Sequence, residues 1–438
     1  MICIEAEHFS VHRILLLIVG LWPYQRSKLV LLQTIITFVI LLSFVIFQVC
    51  LYSNCTYYCV IEMAAQSSVV NVYFDCKNTN GVFLTAEYTS DLLTNVLPTA
   101  LAYSGVSVNF LSFWINIRTV KCLLERLQDI CNKLKDENEI AIIKTYSYQA
   151  RKITIILTRK ITLFVLTYLH FLFAFPAIVL IAQPIWPRVL GIFFYLNESL
   201  FRRKTLILTE YFVDQEKYSY LIMLHTNIAV FIGTFAMIAT GMLLLVSLKH
   251  ACGMFSIASY RIERAITNNK RENVNLKDQN VIFRRMVYAI DIHRKAMQYS
   301  NFLISSFEGT FFLLIAFGVV CLSLNLFRIF QLTSTGGDKF ELLSCFVYTI
   351  CILSYMFIAN AIGQEITDHN DQVYFTAYKV KWYATPLHVQ KLILFLIQRG
   401  NKTFGLNVGG LFVASLECFA TLISASLSYF TVIYSTQQ

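Results

Sequence analysis

Charge is what this chain has least of. Only 14% of its 438 residues are charged against 57% that are hydrophobic, and mean hydropathy is positive. Soluble domains keep about a quarter of their residues charged, so a water-soluble fold is excluded. The twelve cysteines contain no Cys-x-x-Cys pair, which removes the spacing of a zinc or thiol-redox site. Nucleophile–base arrangements, phosphate-cradling loops and dinucleotide-binding glycine patterns are missing too, so nothing points to an enzyme, a cofactor or a metal. No internal repeat of the kind many transporters carry is visible. Length alone would suggest two or three domains, but so apolar a chain packs as one multi-span bundle.

Seven apolar stretches are long enough to cross a bilayer: 29–51, 92–117, 161–182, 219–248, 309–327, 342–364 and 409–435. The formal charge of +10 would suit nucleic acid, but its distribution says otherwise. The N-terminus and alternate loops hold 28 of the 36 Lys and Arg, and the opposite side holds 8. The expected fold is an all-α membrane protein of seven transmembrane helices, with a cytoplasmic N-terminus and an extracellular C-terminus. This is the reverse of a G-protein-coupled receptor. Neither Asp-Arg-Tyr after the third span nor Asn-Pro-x-x-Tyr at the end of the seventh is present. Two sequons, at Asn54 and Asn197, fall on the expected outer side, where glycosylation is possible. Cys55, Cys59 and Cys76 share an outer loop and can bridge if it is extracellular. The short run from Ile14 to Trp22 reads as an interfacial segment.

The last span differs from the others. Ser415, Thr421, Ser424, Ser426, Ser428 and Thr431 recur through it, and Glu417 is its one charge. Hydroxyls at this density suit tight helix packing or a wet surface, so the helix is read as lining a path. Glu417 either concentrates cations or is a structural carboxylate near the cytoplasmic face; its early position favours the second. Before this span, Thr385 as cap, Pro386 at the first turn and Gly400 as stop frame a helix over 386–399. It is too short to span and apolar on most faces, so it is expected to be buried in a cytoplasmic helical anchor at an oligomer core. Residues 119–146 and 256–299 also have helical spacing and read as extensions of membrane helices. His369, among Asp368, Asn370 and Asp371, reads as part of a solvated turn, and His170 and His225 as core groups.

Together these segments resemble the insect odorant receptor family. Gly20-Leu21-Trp22-Pro23 is similar to its entry motif. Glu210-Tyr-Phe-Val-Asp-Gln-Glu-Lys-Tyr218 and His250-Ala-Cys-Gly-Met-Phe255 resemble forms found in wasp, bee and ant members. Ile292-His293-Arg294-Lys295-Ala296 is like the lead into span five. The C-terminal set is the most specific: Trp382-Tyr383 before Pro386, Ser415-Leu416-Glu417-x-Phe419, then Ser428-Tyr429-Phe430.

The resemblance implies an odorant-gated, non-selective cation channel in the plasma membrane of an olfactory sensory neuron. It implies a tetramer around a pore lined by span seven, in which this chain is the tuning subunit beside the shared co-receptor. By that resemblance Val432 falls at a hydrophobic gate, with Ser435 and Thr436 as a polar mouth; the competing reading is that Val432 packs on a neighbouring helix. The implied odorant pocket lies in the outer half of the bundle. It would draw on Leu93, Val96, Leu97 and Ala100 in span two, Phe171, Ala174 and Phe175 in span three, Met223 and Asn227 in span four, and Tyr348 and Ile352 in span six. Asn227 and Tyr348 are its hydrogen-bonding members. The implied partners are a volatile small molecule, co-receptor subunits and membrane lipid, with no nucleic acid. A gustatory receptor of the same superfamily, or a secondary transporter, is the alternative.

Overall fold

The computed structural model describes residues 10–25, 27–67, 79–182, 218–267, 276–400 and 402–436. Within them the chain folds into helices α1 (Ser10–Ile18), α2 (Lys28–Ser67), α3 (Thr79–Ile115), α4 (Ile117–Asn132), α5 (Glu137–Ala182), α6 (Ser219–Thr267), α7 (Leu276–Ser306), α8 (Glu308–Thr335), α9 (Lys339–Lys379), α10 (Leu387–Gly400) and α11 (Leu416–Thr436). The one sheet among these residues is a two-stranded ribbon, β1 (Asn407–Val408) and β2 (Phe412–Val413). Segments of α2, α3, α6, α8, α9 and α11 are long and apolar enough to cross a membrane. The remaining apolar stretch, 161–182, forms the end of α5.

Helix α6 is the hub, packed against α1, α2, α3, α5, α7 and α9. Its small residues make this possible. A Cβ on Gly233 would stand 3.1 Å from the Tyr103 ring, and one on Gly253 would stand 3.0 Å from Ile143. Without a water-driven force between helices in lipid, such close approach carries the packing. Beyond the apolar spans the helices continue. α6 runs on to Thr267, only Asn116 separates α3 from α4, and only Phe307 separates α7 from α8. A buried core of Leu124, Leu127, Phe255, Ile257, Ile262, Met286 and Val373 fills this basic end of the molecule. Helix α1 lies on it by Leu15 and Leu16, with Val19 of the following turn, and the buried His12 of α1 meets Thr154 Oγ1 at 2.9 Å.

Several expectations change. Asn54, Cys55 and Cys59 lie within α2 rather than in a loop, because the helix carries on past the apolar run; Asn197 and Cys76 lie outside the described residues. His369 is not in a solvated turn: α9 continues through it, and the neighbouring Asn370 is fully buried. The last helix begins at Leu416 rather than Gly409. Gly409 and Gly410 both adopt positive φ, 65° and 69°, which turns the chain into the ribbon. The ribbon's exit packs so closely on α9 that a Cβ on Gly363 would overlap Ala414. Thr385 does not cap α10; its hydroxyl donates back to the Trp382 carbonyl at 2.6 Å. α10 buries only one face, through Val389, Ile393 and Leu396, while Leu387, Leu394 and Phe395 stay exposed.

Candidate functional site

Three helices meet around Pro98 of α3. Its carbonyl accepts hydrogen bonds from the Tyr348 hydroxyl of α9 at 3.0 Å and the Cys321 thiol of α8 at 3.3 Å. One turn of α3 around this proline buries Val96 and Ala100, with Leu97 half-buried. From α2, Gln48 donates its amide to Thr99 Oγ1 at 3.0 Å. Tyr103 lies against Gly233, and Asn109 donates to Thr240 Oγ1 at 2.8 Å. Carrying that register six residues back along both parallel helices brings Asn227 level with Leu97. Asn227 is 4% exposed and its Nδ2 has no hydrogen-bond partner; Gln48 is 0% exposed and its Oε1 has none. His225 is tied to Ser43 Oγ at 3.0 Å and flanked by the rings of Phe44 and Phe47.

Of the pocket residues read from the sequence, Val96, Leu97, Ala100 and Asn227 therefore share one level, and Tyr348 joins them through Pro98. Half-buried Met223 is one turn along α6 from Asn227. Ile352 points elsewhere, packing with Val319, Met356 and Leu422 between α8, α9 and α11. Leu93 lies on α3 and Phe171, Ala174 and Phe175 on α5. Gln48 and Thr99 were not anticipated. The available signal was the second of two amides, Gln33 and Gln48, in a largely apolar span, where polar side chains are costly and mark function.

Helix α11 presents two unlike faces. Ser415 caps it, accepting from Cys418 N–H at 3.1 Å, and Asn360 of α9 accepts the Ser415 N–H at 3.3 Å. Leu422 and Ser426 are buried against α8, where Ser323 Oγ donates to the Ser426 carbonyl at 3.0 Å. Farther along, the Phe330 ring meets Tyr434 at 4.8 Å. On the opposite side Glu417, Thr421, Ser424, Ser428, Thr431, Val432 and Ser435 are all exposed. The hydroxyls of Thr421, Ser428, Thr431 and Ser435 bond back to their own helix, as Thr421 does to the Glu417 carbonyl and Ser435 to that of Val432. Thr436, also exposed, does the same. Glu417 sits in the first turn, where a negative charge complements the helix dipole.

The basic end holds two close charge pairs between helices. Lys249 of α6 places Nζ 2.6 and 2.7 Å from the two carboxylate oxygens of Glu365. Arg261 grips Glu139 through Nε and Nη2, at 2.6 and 2.7 Å. Cys252, Glu365 and His369 bring metal-ligand atoms within 4.8 Å of one another. Those atoms are already committed, since Glu365 is held by Lys249 and His369 Nε2 lies 2.6 Å from the Tyr146 hydroxyl. Nearby, buried His293 of α7 bonds Asn370 Oδ1 at 3.0 Å between the rings of Phe255 and Tyr374. Burial holds its pKa below the ordinary value, the Asn370 bond opposes that, and Arg399 adds to the lowering. The folded protein thus keeps His293 neutral while the unfolded chain takes a proton near pH 6.5. Its contribution to stability is complete above that pH and shrinks as pH falls below it. The melting temperature of purified receptor should drop between about pH 7.5 and 5.5. His293→Gln, which keeps a donor for Asn370, should flatten that slope; equal slopes would exclude this assignment.

The match to known proteins covers most of the chain. Residues 89–427 fit the family model described as 7tm Odorant receptor. Odorant receptor 46a, isoform B, of Drosophila melanogaster is 25% identical over 116 residues, 26% of this chain and 30% of that one. Odorant receptor 10 of Aedes albopictus is 28% identical over 86 residues, 20% of this chain and 23% of its own. Each match thus spans less than a third of the relative's length. The solved structure of the insect olfactory receptor OR5 from Machilis hrabei, in complex with eugenol, superposes with a TM-score of 0.62. That similarity covers 98% of this chain and 97% of that one at 15% identity, so it speaks for the fold. Receptors, not enzymes, make up this family, and its members are multi-pass membrane proteins of seven helices. The chain belongs to the 7tm odorant receptor family.

Proposed function

We propose that this chain is an odorant-binding subunit of a ligand-gated, non-selective cation channel. The observation that carries this reading is the exposed hydroxyl face of α11, opposite the Leu422 and Ser426 stripe that docks the helix on α8. A polar face at membrane depth is tolerated where it lines water, and four such faces around an axis make a pore. In this reading Val432 is the apolar constriction and Ser435 and Thr436 form the mouth beyond it. The basic end faces the cytoplasm and puts the C-terminus outside, and Asn54 and Asn197 are the glycosylation acceptors.

Assembly draws support from the anchor region. Phe375, Tyr378, Tyr383, Leu387 and Phe395 stand largely exposed on α9, α10 and the turn between them. So many bare aromatic and aliphatic groups along the anchor region support a protein contact there. The partners in this reading are co-receptor subunits in a tetramer at the plasma membrane of an olfactory neuron. A volatile ligand enters the outer bundle, bounded by Val96, Leu97, Ala100, Met223, Asn227 and Tyr348, with Leu93, Phe171, Ala174 and Phe175 as its farther members. It opens the pore by binding the open state more tightly than the closed one.

Whole-cell recording tests this. The chain is expressed alone, with the co-receptor, and the co-receptor is expressed by itself, each challenged with a broad volatile panel. Volatile-evoked cation current that requires both proteins is expected. Current from this chain alone would make it a self-sufficient channel. Ligand uptake without current would favour the transporter reading.

A further inference from the structure

We propose that a groove between α1, α2 and α6 holds one acyl chain of an anionic phospholipid, with the headgroup at Lys28. The inference needs only the membrane bundle and stands apart from the channel reading above. The groove has a volume of about 390 Å³, within the usual size of a ligand site, and is open along one side. Its floor is buried: Val19 after α1, Thr37 of α2, and Phe235 of α6, whose ring lies 4.5 Å from that of Phe231. Its rim is Leu29, Leu32 and Ile36 of α2, all exposed. The α1 wall is tied to α2, because Gln33 Nε2 donates to the Leu17 and Ile18 carbonyls at 3.1 and 2.6 Å. With that amide committed, Thr37 is the other polar side chain in the lining and the rest is apolar. Hydrocarbon is what such walls accept.

Depth and length name the occupant. Leu29 opens the apolar run of α2, so that end of the groove lies at the edge of the hydrocarbon. From Leu29 to Thr37 the helix rises about 12 Å. One leaflet's hydrocarbon is roughly 15 Å deep, so the groove follows a single acyl chain from the polar edge toward the midplane. The edge supplies the charge. Lys28 is exposed and stands one turn before Leu32 on the same side of α2. The turn between α1 and α2 leaves from Val19 and returns into Leu29, both of which line the groove, so it closes that end. Within it the Trp22 and Tyr24 rings lie 5.5 Å apart. Arg13 sits 6.0 Å from the Trp22 ring and Lys121 Nζ 5.5 Å from that of Tyr24. Glu125 answers Lys121 at 3.6 Å, which leaves these groups with a net positive charge. Aromatic rings at the end of a span mark a membrane interface, and cations placed there attract anionic headgroups.

Photolabelling of the full chain in detergent tests this. The probes are phosphatidylserine and phosphatidylcholine carrying a diazirine midway along one acyl chain, and labelled peptides are mapped by mass spectrometry. Saturable label is expected on the peptide that holds Phe231 and Phe235. Unlabelled phosphatidylserine should compete for it roughly fivefold better than phosphatidylcholine, the worth of one interfacial cation. Lys28→Gln should remove most of that preference and keep the label. Leu32→Trp, a change at an exposed position, fills the mouth and should abolish the saturable label for both lipids. Label at Ile46 and Val49, exposed farther along α2, should persist in each variant and reports a folded bundle. Four results would overturn the proposal: label in the groove that saturates no better than at Ile46, equal competition by the two lipids, a preference that survives Lys28→Gln, or displacement by oleate or a volatile as readily as by phosphatidylserine. None of them bears on odorant-evoked current, which is recorded separately.

Discussion

Lys249→Met should strip the receptor from the cell surface and lower the melting temperature of whatever protein can be purified. The Lys249 side chain is 10% exposed and that of its partner Glu365 28% exposed. Removing the ammonium leaves a carboxylate enclosed between α6 and α9, the hub helix and the longest piece of the anchor. Breaking a buried pair from one side is worth about 3–5 kcal/mol, mostly the penalty of the stranded charge. Against a folding stability of about 5–15 kcal/mol, that is a large share. The same logic predicts rescue. Lys249→Met combined with Glu365→Met removes both charges and should recover much of the lost stability. Thermal melting in detergent, read by size-exclusion chromatography of the intact receptor, compares the three proteins. A single variant that melts like the parent, or a double variant no better than the single, would show that the pair does not carry this junction.

Much of this architecture follows from local pattern. A stretch such as 29–51 announces a membrane helix by length and apolarity, and the short segment bounded by Pro386 and Gly400 appears as α10, Leu387–Gly400. Those features depend on a few consecutive residues. What is absent locally was not legible. His369 was weighed against its neighbours Asp368 and Asp371, whereas its hydroxyl partner is Tyr146, more than two hundred residues away. Glu365 directly follows the apolar stretch 342–364, and its partner Lys249 is more than a hundred residues away on α6. The ribbon before α11 escaped notice because Phe412 and Val413 are as apolar as the helix that follows, and the turn depends on two glycine backbones. In the candidate site, Val96 and Ala100 are named by the family resemblance, which points to the outer half of the bundle. Gln48 could not be ranked, since its importance lies in one unpaired oxygen that exists only after Thr99 has been placed.

Val432→Ser should raise the resting leak of the co-expressed channel several-fold and broaden its ion selectivity. In the single subunit Val432 is 58% exposed, on the same side of α11 as Ser428 and Ser435. The docking stripe of Leu422 and Ser426 turns that side away from α8, and the Phe330–Tyr434 contact holds the outer end of the helix in the same sense. An apolar ring in a narrow pore excludes ions by excluding water. Serine replaces one methyl of valine with a hydroxyl and drops the other, so the substitution wets the ring and widens it slightly. The expected signature is current before any odorant is applied, with a shifted reversal potential under asymmetric salts and an intact response on top. Leu427→Ser is the control. Leu427 is also exposed, 48%, but it stands five residues, about 140°, around the helix from Val432. It should leave leak and selectivity unchanged. If the two variants behave alike, exposure alone is being read and Val432 packs on a neighbour. If only Val432→Ser leaks, the face that the fold leaves bare is the face that water enters.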